Sequence, residues 1–232
     1  MSTSQKPHFE HHESVLNESV KEASSGNLHH EEVAAPMTMP IPPFYNSKVA
    51  AIGFASFATG ALMMGLYCIG LLTNLPQVVV GVALGYTGIC QFASGLMEMV
   101  QGNTFAATTM MTYSGFFFSF GIMFSPASGF LEVAEKQGTE ALETCVGLYM
   151  LGYAFISFLF FLGTFRQPYL IQGTLLQVFL SFFFSCLGNF LHNHTLIAVS
   201  GWISISLALT AYYVMATLIY DDTTTFIKLP SF

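Results

Sequence analysis

The chain has 232 residues, of which 8% are charged and 53% hydrophobic, with 24 phenylalanines and a formal net charge of −7. A soluble domain carries roughly a quarter of its residues as charges, so this composition excludes an ordinary water-soluble enzyme and points to a chain solvated by a lipid bilayer. The acidic balance, with six of the thirteen acids in residues 1–45, excludes nucleic acid as a natural partner.

Residues 1–45 read as a disordered, acidic, histidine-containing cytoplasmic tail. They hold five of the seven histidines and show no sustained apolar period, so too little apolar surface is available to offset the entropy of ordering the backbone. No charged segment leads into an apolar core, which argues against a cleavable signal peptide. His11, His12, His29 and His30 invite a metal reading. No ligand spacing recurs among them, so neither a metal nor any other cofactor is expected.

From residue 49 the character changes. Six apolar stretches, at about 49–71, 77–100, 104–124, 141–163, 169–188 and 196–219, each approach the ~20 residues that a spanning helix needs. The expectation is an all-α membrane protein with six transmembrane helices in a domain over 46–220, followed by a short cytoplasmic tail over 221–232. An even number of spans puts both termini on one side. With the tail inside, Lys6, Lys21, Lys48, Arg166 and Lys228 fall on the cytoplasmic side and Lys136 outside, as the positive-inside bias requires. Cys68, Cys90, Cys145 and Cys186 all lie within spans, where a thiol behaves as a small hydrophobe, and no disulfide framework is implied.

Small residues mark the faces expected to meet other helices. The first span carries Gly53 and Gly60 on one face with Phe57 between them; the sixth carries Gly201, Ser204, Ala208 and Ala211. In the second span, Gly81, Gly85, Gly88 and Gly95 are expected to form one smooth stripe. Gln91 and Glu98, seven residues apart, share a line beside it and should point into the bundle. A carboxylate facing hydrocarbon would cost on the order of 3 kcal/mol. Glu98 therefore either hydrogen-bonds neighbours such as Asn103 and Thr104, or is a protonatable group on a transport path. In the fifth span, Thr174, Gln177, Ser181 and Ser185 recur every three or four residues and suggest a polar path. His192 and His194 lie in a short surface loop, where solvation is the plainer reading, and no nucleophile and base stand at a spacing that suggests an enzyme.

The stretch "QFASGLMEMVQGNTFAAT" followed by Tyr-Ser-Gly-Phe-Phe resembles the second and third helices of the acetate uptake transporter family, the succinate–acetate permeases of bacteria and their fungal and protist relatives. The matching positions are Gln91, Gly95, Glu98, Gly102, Asn103, Thr104, Phe105, Tyr113 and Phe116. "VGLYMLGYAFISFLFFLGTFRQ" is similar to the family's fourth helix and the loop after it, with Arg166 at a usually basic position. "LGNFLHNHTLIAVSGW" and the terminal "KLPSF" continue the likeness, which covers about residues 49–230. One departure is local: where the family opens with Asn-Pro-x-Pro-x-Gly, this chain has "KVAAIG", with Lys48 for Asn and Val49 and Ala51 for the prolines.

The resemblance implies a protomer with its own narrow pore, assembled as a homohexamer. It implies a constriction built from Phe57 and Tyr113, with Val178 and Ala211 at other pore-lining positions, and Lys48 at the pore mouth. Gln91, Asn103 and Thr104 join them as candidates on the substrate pathway, and Glu98 as the candidate proton-linked residue. The implied function is transport of acetate or a similar small monocarboxylate coupled to protons, in a multi-pass protein of the plasma membrane. A passive anion channel, an ammonium exporter and a non-transporting membrane adaptor are the alternatives.

Overall fold

The computed structural model describes residues 48–71, 76–220, 225–227 and 229–230. The N-terminal tail with its histidines, Lys6 and Lys21, together with Lys228 and most of 221–232, lies outside the described residues.

Among the described residues seven helices longer than one turn follow in order: α1 (Ala50–Cys68), α2 (Gln77–Val100), α3 (Thr104–Phe124), α4 (Phe130–Gln137), α5 (Thr139–Leu162), α6 (Tyr169–Phe190) and α7 (His194–Ile219). No strand occurs among the described residues. Each of the six expected spans is a helix close to its expected bounds. Five of them, α1, α2, α5, α6 and α7, are long and apolar enough to cross a membrane, and α3 is not in that group. Its composition explains the difference: Thr104, Thr108, Thr109, Thr112, Ser114 and Ser119 dilute the hydropathy of a helix that is nonetheless deeply packed.

The short α4 was expected as loop. Phe130, Leu131 and Ala134 share its inner side, while Glu132 in the first turn and Lys136 in the last oppose the helix dipole and pair at 2.8 Å. Gly129 (φ 67°) and Gly138 (φ 100°) bound it in the left-handed region. Other ends are set by side chains. Asn103 Oδ1 accepts from Ala106 N at 3.3 Å to start α3, and Asn193 Oδ1 accepts from Thr195 N at 2.9 Å to start α7. Pro168, with its fixed φ, precedes α6. α1 begins without prolines: Ala51 N donates to Lys48 O at 3.0 Å, and Val49 O accepts from Ser94 Oγ at 2.8 Å, tying its start to α2.

The helices pack in the circuit α3–α2–α1–α7–α6–α5. Small residues set the tightest crossing. A Cβ on Gly65 would lie 2.8 Å from Gly201 O, and one on Gly201 would lie 2.9 Å from Gly65 O, so α1 and α7 meet backbone to backbone. Aromatic rings close the circuit between α3 and α5–α6, where Phe116 packs on Tyr149, Tyr153 and Phe182 at centroid distances of 5.5, 4.9 and 4.8 Å.

The expected glycine stripe of α2 is corrected. Gly88 and Gly95 do meet α3, against Phe118 and Met111, but Gly81 and Gly85 face open space. The cause is a π turn over Ala83–Thr87, which places an extra residue in one turn and breaks the phase counted for a regular α-helix.

Candidate functional site

Three cavities share walls along the inside of the bundle. The first, a vestibule of about 230 Å³, lies among α1, α2, α3, α6 and α7 and includes Gln91, Asn103 and Gln167 in its lining. The second, a waist of about 40 Å³, is bounded by rings and by the hydroxyls of Ser181, Ser185, Ser200 and Ser204. The third is a far cavity of about 470 Å³, lined in part by Glu143, Asn189 and His194. Phe57, Tyr113 and Val178 line both vestibule and waist. Met64, Cys68, Met150 and Ser185 line both waist and far cavity.

The partition between vestibule and waist is held from several sides. Phe57 and Tyr113 lie 5.7 Å apart between ring centroids; Phe182 stacks on Tyr113 at 6.4 Å and Phe160 meets its edge at 5.9 Å. Tyr113 Oη donates to Ser157 Oγ at 3.1 Å, which fixes the ring against rotation out of the partition. Phe160 and Phe182 were not foreseen as members. The available signal was positional: Phe182 follows Val178 by one turn of α6.

The remaining candidates separate. Gln91 is 2% exposed and lines the vestibule, and its Oε1 has no hydrogen-bond partner among the described residues. Asn103 also lines the vestibule, while its Nδ2 donates to Glu98 Oε2 at 2.8 Å. Glu98, 5% exposed, lines none of the three cavities and stands behind Asn103. Thr104 is exposed at the start of α3 with its carbonyl accepting from Thr108, and Lys48 is exposed before α1; neither lines any of these three cavities. Ala211 is fully buried one turn from Leu207 and Val214, which line waist and vestibule. Of the polar line on α6, Thr174 reaches the vestibule and Ser181 and Ser185 the waist, whereas Gln177 turns to Ser206 of α7 at 3.3 Å.

The far cavity was not anticipated. His192, read as a solvated loop residue, is bonded through Nδ1 to Glu143 Oε2, and His194 joins the cavity wall. A charged residue in the second turn of an apolar span, as Glu143 is, was the usable sign. Among the described residues no three His, Cys, Asp or Glu side chains gather as for a metal ion.

Chemically, the vestibule is neutral: its lining contains no Lys, Arg, His, Asp or Glu among the described residues. The hydroxyls of Thr109 and Thr174 donate to Phe105 O and Leu170 O of their own helices, both at 2.7 Å. The carboxamides of Gln91, Asn103 and Gln167 are therefore its principal groups for orienting a small polar molecule.

Comparison with known proteins agrees with this architecture. The glyoxylate pathway regulator of Yarrowia lipolytica is 28% identical over 176 residues, which cover 75% of this chain and 64% of that protein. Acetate permease A of Emericella nidulans is 28% identical over 194 residues, covering 78% of this chain and 64% of that protein. The chain thus spans 64% of the length of each of these fungal relatives. The solved structure of the bacterial acetate channel SatP superposes with a TM-score of 0.70 at 23% identity, covering 80% of this chain and 98% of that one, a likeness of fold. The model of the GPR1/FUN34/yaaH family matches residues 32–232, nearly the whole chain, and the protein belongs to that family.

Proposed function

We propose that the protein moves acetate or a similar small monocarboxylate across a membrane together with a proton. The observation that carries this reading is the series of three cavities, the first two divided by Phe57, Tyr113 and Val178. A methyl-sized tail fits past such a partition, while hydrated ions must shed water to enter it. The names of two relatives, an acetate permease and an acetate channel, support the substrate class.

In this reading α3 is the sixth crossing, since 21 residues rise about 31 Å. Lys48 and Arg166 lie with the vestibule at the cytoplasmic end and Lys136 at the other, both termini are cytoplasmic, and the membrane is the plasma membrane. The protomer assembles as the homohexamer that the resemblance implies, with the open Gly81 and Gly85 on α2 available to another copy. Glu98 is the proton-linked candidate, acting at the entrance through Asn103.

A passive acetate channel is the second reading, favoured by the coexistence of all three cavities in one conformation. The deciding experiment is labelled-acetate uptake into proteoliposomes, with protein-free liposomes subtracted, with and without an inward proton gradient. Wild-type uptake is expected to rise with the gradient and the rise to shrink in Glu98→Gln, a change that still leaves Asn103 an oxygen to bond. Equal stimulation in both makes Glu98 structural, uptake indifferent to the gradient selects the channel, and no uptake sinks the acetate reading.

A further inference from the structure

We infer that Gln91 recognises the permeating molecule and that the species it takes into the vestibule is the undissociated carboxylic acid, whose O–H donates to Gln91 Oε1. This rests on the proposed monocarboxylate transport and names the form of the substrate that crosses.

Two observations point the same way. Gln91 Oε1 is a strong acceptor buried in the wall of a roomy cavity with no hydrogen-bond partner among the described residues, an arrangement that costs stability unless a ligand supplies the missing donor. A carboxylate has no donor to give; the protonated acid has one. The second observation is the neutrality of the wall. α1 contributes Ala50, Gly53, Phe54 and Phe57, α6 and α7 contribute Thr and aliphatic side chains, and Tyr113 of α3 is the titratable group among the lining residues. An anion entering this cavity would lose hydration with no facing cation to replace it, whereas the neutral acid loses little.

The stoichiometry follows directly. One proton crosses on each acid, no net charge moves, and the acid dissociates beyond the waist, where the far cavity is twice as large and carries Glu143 and His194. The proton then passes the partition on the acid itself, which leaves Glu98 its place at the entrance, ahead of the partition.

The test is protein-mediated uptake of labelled acetate at fixed total concentration as pH is moved across the acid's own pKa, with protein-free liposomes subtracted. Wild-type uptake is expected to track the undissociated fraction, falling roughly tenfold per pH unit above that pKa. Gln91→Met, close in volume and lacking the acceptor, is expected to lose roughly tenfold. Acetamide, an uncharged donor of the same shape, should compete with acetate in the wild type, a readout that does not depend on the variant folding. Uptake that follows the anion, or no competition by acetamide, overturns the inference and leaves acetate transport standing. Absence of uptake at every pH defeats acetate transport itself, and this inference with it.

Discussion

Two carboxylates at opposite ends of the bundle show how burial changes what a charge does. Glu98 is 5% exposed and bonded to the Asn103 amide at 2.8 Å, within α2 and the turn that follows it. Glu143, at the start of α5, keeps a side chain 20% exposed and pairs with His192, whose side chain is 41% exposed. Away from water a hydrogen bond is stronger and its loss is costlier, while nearer the surface the same bond competes with solvent. The buried carboxylate is thereby bound into the architecture of the vestibule, and the half-buried one is a replaceable feature of the far mouth.

The partition between the two ends is where the largest effect is expected. Tyr113→Ala removes the ring shared by vestibule and waist and merges the cavities that the comparison keeps apart. Truncating a buried aromatic costs about 3–5 kcal/mol, visible as a lower unfolding temperature of the detergent-solubilised protein. Among molecules that still fold, butyrate uptake relative to acetate should rise roughly tenfold, since one or two methylenes are no longer sterically excluded. Tyr113→Phe keeps the ring and loses the Ser157 hydrogen bond, with a cost of about 1 kcal/mol and selectivity retained.

The helices were legible in the sequence because hydrocarbon demands long apolar runs and punctuates them with Asn, Gly and Pro. Asn103, Pro168 and Asn193 stand where α3, α6 and α7 begin. α4 was missed because eight residues of mixed polarity between two positive-φ glycines carry too little apolar signal to separate helix from loop. Gly81 and Gly85 were misplaced because helical spacing assumes a constant pitch and the π turn in α2 violates it. In the site, Phe57, Tyr113 and Val178 came from the family resemblance; composition alone gave no means to tell a partition ring from a packing ring. The bond from Asn103 to Glu98 was one of the two readings open in the sequence; that it leaves Glu98 outside the cavity wall depends on the three-residue turn between α2 and α3 and emerges only in three dimensions.

The buried end of the comparison is sharpened by Asn103→Ala. It leaves Glu98 Oε2 without the Asn103 amide in a place that water reaches poorly, and about 2 kcal/mol of stability is expected to go with it. In a Glu98→Gln background the same substitution should cost less, because the group left behind is neutral. A double-mutant cycle in chemical unfolding measures the difference directly. Additive losses would mean that the amide and the carboxylate do not act as a unit, and that Asn103 serves α3 only as its cap.

The exposed end supplies the smallest effect and the control for the others. His192 has a φ of 50°, so replacing it by Ala would mix backbone strain with loss of the Glu143 contact. His192→Asn avoids this, since Asn accepts the left-handed conformation. Breaking the contact with Glu143 should then change stability by no more than about 1 kcal/mol. Acetate uptake should be unchanged, because neither partition nor vestibule is touched. A large loss of uptake with normal stability would show that the far mouth controls passage. The contrast between an architectural carboxylate and a replaceable one would then reverse, with Glu143 rather than Glu98 as the charge that matters to flux.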